Sequence, residues 1–428
     1  MAEQNSKKIA ITGATLIDGT GKPPVDSSVV LINGERIEVV GTNQAIAVPE
    51  GAEIIDARGK YLLPGLIDLH VHIYQSGFAP QPLKGSAMAY GGVVAMNNLR
   101  SALQTGVTTI RDVCGNDHLD LAMRSALERR TMIGPRLYIC GIGICMTGGH
   151  GSQDTGMMRE VDGPWEVRKA VREEVKAGVD WIKLLTSHRS DYPEFSQEEI
   201  DAGVDEAHRL GKKIAIHAAN WKGVEMSARA GVDTIEHGSF VNEKAADLMA
   251  EKGITLVPTI WVKNYIPEMI NRVRETAKRD QGSANAPGLA NEDLDESYIW
   301  FSRCVEQLPK SIALAHSRGV QIGAGTDNVF PERPFAMLPE EIEMLVKHGL
   351  SNMEAIQSAT QVGAKTLGKE DQFGTVTPGK FADLIMVDRN PLEDIRALAE
   401  VSWVMKEGEV IGLYPEWKRR PVNAPQTV

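Results

Sequence analysis

Two histidines separated by one residue close the run Pro64-Gly65-Leu66-Ile67-Asp68-Leu69-His70-Val71-His72. In an extended strand, residues two apart point to the same face, so the imidazoles of His70 and His72 project together. Neutral imidazole is the commonest metal ligand, and two on one face are poised to share an ion; a surface pair flanking a valine is the plain alternative. Three more metal-competent side chains each end a separate short run. His217 closes Ile214-Ala215-Ile216-His217, His237 closes Thr234-Ile235-Glu236-His237, and Asp327 closes Gln321-Ile322-Gly323-Ala324-Gly325-Thr326-Asp327. Any one of these fits a satisfied core residue, but their coincidence argues for a shared site. Lys183 lies inside Trp181-Ile182-Lys183-Leu184-Leu185, a costly place for an unpaired ammonium. Protonated lysine has no lone pair for a metal. As a carbamate formed with CO2 it becomes an anionic oxygen ligand able to bridge two cations; a buried salt bridge is the alternative.

The elements that would position these groups alternate along the middle of the chain. Apolar runs at Gly65–Val71, Thr108–Val113, Arg136–Ile139, Trp181–Leu185, Lys213–Ile216, Thr234–Glu236, Thr255–Ile260 and Gln321–Ala324 are separated by amphipathic stretches such as Trp165–Ala177, Glu198–Leu210 and Glu243–Glu251. Eight buried runs alternating with helices predict a (β/α)8 barrel, whose strands' C-terminal ends form the site-bearing mouth. A doubly wound open sheet lacks support, because no Gly-rich phosphate turn follows the first strand. Residues 264–318 read as a polar, helix-prone excursion between the seventh and eighth strands. At both chain ends the texture is short strands: Ile9–Leu16, Ser28–Ile32 and Arg36–Val40, with Asn33-Gly34 as a hairpin signal, then Ala382–Val387, Val401–Lys406 and Glu409–Leu413. Neither end alone buries enough to be stable. The expectation is therefore a small β-sandwich domain from residues 1–63 and 374–428 around a barrel of residues 64–373.

Composition narrows the function classes. With 46 basic against 57 acidic residues the net charge is −11, which argues against a nucleic-acid binder in need of a basic face. No run approaches the roughly 20 apolar residues that span a bilayer. Cys114, Cys140, Cys145 and Cys304 form no C-x-x-C pair and no disulfide framework. The first eight residues lack an apolar stretch, pointing to the cytoplasm, or to export with a leader outside this sequence.

Three long stretches resemble the metal-dependent amidohydrolase superfamily: "ATLIDGTG…VVLINGERIEVVG…IIDARGKYLLPGLIDLHVH", "HAANWKGVEMSARAGVDTIEHGSF", and "GAGTDN…NMEAIQSATQVGAKTLG…GTVTPGKFADLIMVDRNPLEDI". Lys183 in "WIKLLTS" and the "TGGHG" at Thr147–Gly151 are similar to its binuclear branch of Xaa-Pro dipeptidase-like carboxypeptidases and ochratoxin-hydrolysing amidases. The resemblance implies two divalent ions, zinc fitting the N/O ligands best. His70, His72, Asp327 and the carbamate of Lys183 would hold the more buried ion, and His217 and His237 the second, with Lys183 and a hydroxide bridging. Asp327 would take the proton of the attacking water and pass it to the leaving amine. Ala219 stands where many relatives have a second histidine, which alters that pocket wall. His150 could donate to the substrate carbonyl or carboxylate, and Arg189 and Tyr192 could bind a free α-carboxylate; plain loop residues are the alternative for all three. The loop from Tyr74 to Tyr90 would overhang the first strand. His118, His188, His208, His316 and His348 read as structural.

These readings point to hydrolysis of a small-molecule amide: a dipeptide, an N-acyl amino acid or an aromatic conjugate such as ochratoxin, by a chain that forms homo-oligomers as relatives do. A mononuclear deaminase or imidazolone-type ring hydrolase would have no need of Lys183. A non-catalytic scaffold would have no need of the six ligands.

Overall fold

Alternating β-branched residues and a tight turn set the first strands. In the computed structural model, which describes residues 8–74, 87–152, 156–187, 191–280, 294–328, 330, 335 and 337–412, the chain opens with β1 (Lys8–Leu16), β2 (Val25–Asn33), β3 (Arg36–Thr42), β4 (Glu53–Asp56) and β5 (Tyr61–Pro64). The β2–β3 hairpin forms, with Asn33 opposite Arg36. Its two-residue loop is thus Gly34-Glu35 rather than Asn33-Gly34, and Gly34 takes the positive φ of 60° that the turn requires.

Strand–helix alternation follows: β6 (Leu66–Val71), α1 (Ala87–Gln104), β7 (Val107–Asp112), α2 (Leu119–Glu128), β8 (Arg136–Ile139), β9 (Gly143–Cys145), β10 (Met158–Glu160), α3 (Pro164–Ala177), β11 (Trp181–Leu185), α4 (Gln197–Arg209), β12 (Lys213–Ala218), α5 (Trp221–Ala230), β13 (Thr234–His237), α6 (Glu243–Lys252) and β14 (Thr255–Val257). Then come α7 (Ile260–Asp280), α8 (Leu294–Ser317), α9 (Leu338–Lys347), α10 (Asn352–Ser358) and α11 (Gln361–Leu367), and finally β15 (Leu384–Val387), β16 (Val401–Lys406) and β17 (Glu409–Ile411).

The middle strands pair in parallel, β6-β7-β8 in one ladder and β9-β11-β12-β13-β14 in another. Backbone bonds join the two: Asp180 N donates to Ile139 O (2.9 Å) before β11, and Leu256 N to Gln321 O (2.9 Å) after β14. Residues 321–327 lie against β6, with Leu69 N on Ala324 O (3.0 Å) and Asp327 N on His70 O (2.8 Å). The pairing thus returns to the strand it started from. Both ends of the chain share one eight-stranded sheet, in which β15 runs antiparallel to β5 with Leu384 opposite Pro64.

Three expectations are corrected. The seventh run ends at Val257, because Thr259 turns the backbone (φ 47°) and Ile260 starts α7. The eighth run makes a bridge at Ile322 rather than a strand. The stretch 264–318 is not simply polar: α7 and α8 pack an aromatic seam of Trp261, Tyr265, Trp300 and Phe301, joined by Phe330 from beyond α8. Helical spacing explains it, since Trp261, Tyr265 and Met269 fall four apart on one face. The short parallel pair β9–β10 follows no signal in the sequence. Among the described residues, no helix is long and apolar enough to cross a membrane.

Candidate metal centre

Leu69, Trp181, Ala215 and Val257 belong to one buried apolar cluster. Arg111 is fully buried, its guanidinium carbon 4.5 Å from the Trp181 ring centroid. Arg111 donates Nε to Leu69 O (2.6 Å), Nη1 to Thr234 Oγ1 (3.0 Å) and Nη2 to Glu236 Oε1 (2.7 Å), while the Thr234 hydroxyl also donates to Glu236. Burial alone would push Glu236 upward, but Arg111 and His70 outweigh it and hold the carboxyl at about 2. The other carboxylate oxygen, Oε2, lies 2.7 Å from His70 Nδ1. An ionised Glu236 makes Nδ1 the protonated nitrogen, so the lone pair of His70 is on Nε2, facing the mouth. Burial, with the charge of Lys183, brings His70 down to about 4, which keeps this imidazole neutral and fit to ligate.

Asp68 ties the strand that carries His70 to the segment that carries Asp327. Its Oδ1 accepts the amides of His70 and Thr326 (both 3.1 Å) and its Oδ2 the Thr326 hydroxyl (2.8 Å). Gly325 permits the approach: a Cβ there would lie 2.7 Å from His70 Cβ and 2.6 Å from Val257 Cγ1. Asp327 Oδ1 consequently stands 3.6 Å from His70 Nε2 and 3.4 Å from His72 Nε2, and its Oδ2 lies 3.9 Å from His237 Nδ1. One ligand atom each from His70, His237 and Asp327 falls within 4.8 Å of the others. Burial would raise Asp327, yet His70 and His72 hold it well below the usual carboxylate range. His237, Thr259 and Asp327 have φ of 73°, 47° and 49°. Left-handed backbone at three non-glycine residues costs about 1–3 kcal/mol each, and each marks the bend where a chain leaves the ring at its mouth.

The remaining candidates are placed as follows. The His217 ring is 4.2 Å from that of His237, and the His150 ring 4.3 Å from that of His217. Lys183, 2% exposed on β11, acts with its charge on His70, Glu236 and His237. Ala219 donates its amide to Ser187 Oγ (2.7 Å), tethering the loop after β12 to the one after β11. Tyr192 is 72% exposed, 5.5 Å from Lys222 Nζ, and its carbonyl accepts Asn220 Nδ2 (2.9 Å). Arg189, His188 and most of the loop from Tyr74 to Tyr90 lie outside the described residues. Of the other histidines, His118 pairs with Glu174 (2.9 Å), His208 with Asp233 (2.9 Å) and His316 with Glu354 (3.0 Å), while His348 Nδ1 donates to Met344 O (2.7 Å).

Sequence reasoning passed over Glu236, Arg111, Asp68 and Thr259. For Glu236, Arg111 and Asp68 the signal was the one that exposed Lys183, a polar side chain within a buried strand; Thr259, beyond the end of β14, carried none. Glu236→Gln is expected to weaken metal binding by about 10–100-fold, because the amide orients His70 less firmly and lowers its basicity. Titration against a competing chelator measures it; unchanged affinity would show that Glu236 serves Arg111 alone.

The donor set suits a divalent ion. The neutral imidazoles of His70 and His237 and the low-lying carboxylate of Asp327 converge, and His72 Nδ1 is buried with no hydrogen-bond partner among the described residues. Comparison with known proteins agrees. The Amidohydrolase family model matches residues 61–411. Ochratoxinase of Aspergillus niger is 29% identical over 471 aligned positions, which cover 98% of this chain and 91% of its own. Among solved structures, a Xaa-Pro dipeptidase with bound methionine in the active site matches with a TM-score of 0.82 at 30% identity, covering 95% of this chain and 100% of that one. The A. niger ochratoxinase structure matches at 0.79 and 25% identity, covering 95% and 96%.

Proposed function

The chain belongs to the amidohydrolase family and is a hydrolase of C–N bonds, and from that premise we propose that it is a binuclear metal enzyme cleaving the amide of a dipeptide, an N-acyl amino acid or an aromatic conjugate of the ochratoxin kind. The observation that carries the reading is the convergence of His70, His72, His237 and Asp327 at one mouth, with His217 and Lys183 beside them. His70, His72, Asp327 and carboxylated Lys183 would hold one ion, and His217 and His237 the other, zinc fitting the set. When bound, the metals supply a water nucleophile ionised near neutral pH and polarise the scissile carbonyl.

The chain's own groups do the rest. Asp327, ionised at working pH, accepts the nucleophile's proton and returns it to the leaving amine. Glu236 and Arg111 fix the His70 ring. His150, beside His217, donates to the substrate carbonyl oxygen or carboxylate, with Arg189 and Tyr192 as further contacts on the carboxylate. The sheet built from both chain ends is read as the small β-sandwich of residues 1–63 and 374–428, folded over the shared core of Ile11, Val30, Leu62, Leu384 and Met405, around a (β/α)8 barrel of residues 64–373.

Metal-stripped protein titrated with zinc is expected to regain cleavage of N-acyl amino acids and dipeptides, saturating at about two equivalents. Saturation at one equivalent, or cleavage confined to cyclic amidines, would favour the mononuclear deaminase chemistry instead.

A further inference from the structure

Resting on that metal-enzyme reading, we propose that Glu341 on α9 is a positioning residue for His237: it caps α7 in place of Thr259 and so leaves the Thr259 hydroxyl to hold the imidazole. The first amides of a helix have no partner within it. A threonine just before the first turn ordinarily accepts one of them with its own hydroxyl. Thr259 stands in that place, since α7 starts at Ile260. Its hydroxyl oxygen lies 2.7 Å from His237 Nδ1 instead. The free amides of the turn go to Glu341, which reaches over from α9. Ile260 N donates to Oε1 (2.9 Å) and Trp261 N to Oε2 (2.7 Å).

Thr259 and Glu341 are fully buried and His237 is 2% exposed, so bulk water is no substitute for a missing partner, and an amide left without one is costly. Two adjacent amides call for a side chain with two acceptors. A carboxyl has them on separate oxygens, whether ionised or protonated. Glutamine at the same place would accept one amide and turn its amino group against the other. The Trp261 amide would then compete for the Thr259 hydroxyl, and His237 would lose its holder.

With Thr259 accepting, His237 carries its proton on Nδ1 and its lone pair on Nε2, which frees Nε2 to ligate. The arrangement parallels that of His70, whose Nδ1 meets Glu236 Oε2 at 2.7 Å. The two rings lie 5.1 Å apart. One is oriented by an acid directly, the other by a hydroxyl that an acid sets free.

The test measures zinc affinity, by competition with a chelator, in wild type, Glu341→Gln, Thr259→Val and the double variant. Each single variant is expected to bind zinc about 10–100-fold more weakly, the usual effect of losing a ligand's outer partner. The double variant should be no worse than Thr259→Val, because Glu341 acts through that hydroxyl. Losses that add, or an unchanged affinity in either single variant, overturn the proposal. A second readout needs no metal. Nitrogen NMR of the histidine side chains in stripped full-length protein, with His237 assigned by its absence from His237→Asn, should show the Nδ1–H tautomer in wild type and its loss in Glu341→Gln. A tautomer indifferent to Glu341 is equally fatal. Glu341→Asp, a carboxyl one carbon too short, replaces the glutamine variant if that chain fails to fold. A wild type whose tautomer depends on Glu341 but which binds no zinc would instead refute the metal-enzyme reading and leave the clamp standing.

Discussion

Lys183→Ala is expected to abolish turnover and strip metal from the protein at the same time. The physical reason lies in charge. Lys183 is buried at the centre of β11, opposite Ala215 of β12 in the ladder that brings Leu185 level with His217. Carboxylated, Lys183 would add a second anion to a proposed ligand set whose described side-chain donors are otherwise four imidazoles and one carboxylate. Without it, two dications would have Asp327 as their one acidic side-chain ligand, and their mutual repulsion would go largely uncompensated. Metal activation lowers the pKa of water from 15.7 to about 7, worth up to ~10⁸ in nucleophile concentration at neutral pH, so partial loss of the pair already costs several orders of magnitude in kcat. Lys183→Arg should fail as badly, because guanidinium keeps the charge but not the carbamate chemistry. Metal analysis and intact mass, which reads the added CO2, are the measurements. A Lys183→Ala protein that keeps two ions and measurable turnover would refute the bridging role.

Arg111→Met is the corresponding prediction for stability. Arg111 and Glu236 are both fully buried and meet at 2.7 Å. Removing one partner of a buried pair leaves the other charge unmatched and costs about 3–5 kcal/mol, a large part of the roughly 5–15 kcal/mol that keeps a typical protein folded. The urea midpoint of Arg111→Met should fall accordingly. The double variant Arg111→Met/Glu236→Met should recover most of the loss, since well-packed apolar residues replace a buried pair at little cost. Metal affinity should stay low in the double variant, because His70 has lost the carboxylate that orients it. Equal destabilisation by single and double variants would mean that packing, rather than charge, sets the value of Arg111.

What the sequence made legible follows from how side chains advertise themselves. His70, His72, His217, His237 and Asp327 were visible because each is metal-competent and stands where an apolar run stops, and Lys183 because it interrupts one. Arg111, Glu236 and Asp68 interrupt runs in the same way, but their partners lie far off in sequence: Arg111 meets Glu236 across 125 positions and Asp68 meets Thr326 across 258. Only the closed ladder makes neighbours of them. Likewise the polar residues of α7 and α8 masked an aromatic seam that becomes a surface only when the two helices face each other. Strand ends were misjudged at Val257 and Ile322 because the bend at Thr259 is a backbone event that threonine's side chain does not announce.

The sheet shared by the two chain ends has a consequence for biosynthesis. Pro64 pairs with Leu384, and a ribosome adding about 5–20 residues per second needs roughly 16–64 s to make the roughly 320 residues that separate them. Throughout that interval the edge of β5 is exposed on a nascent chain, an invitation to wrong pairing with neighbours on the same message. Yield in a cell should accordingly depend on slow-release chaperones shielding the amino-terminal strands until translation ends.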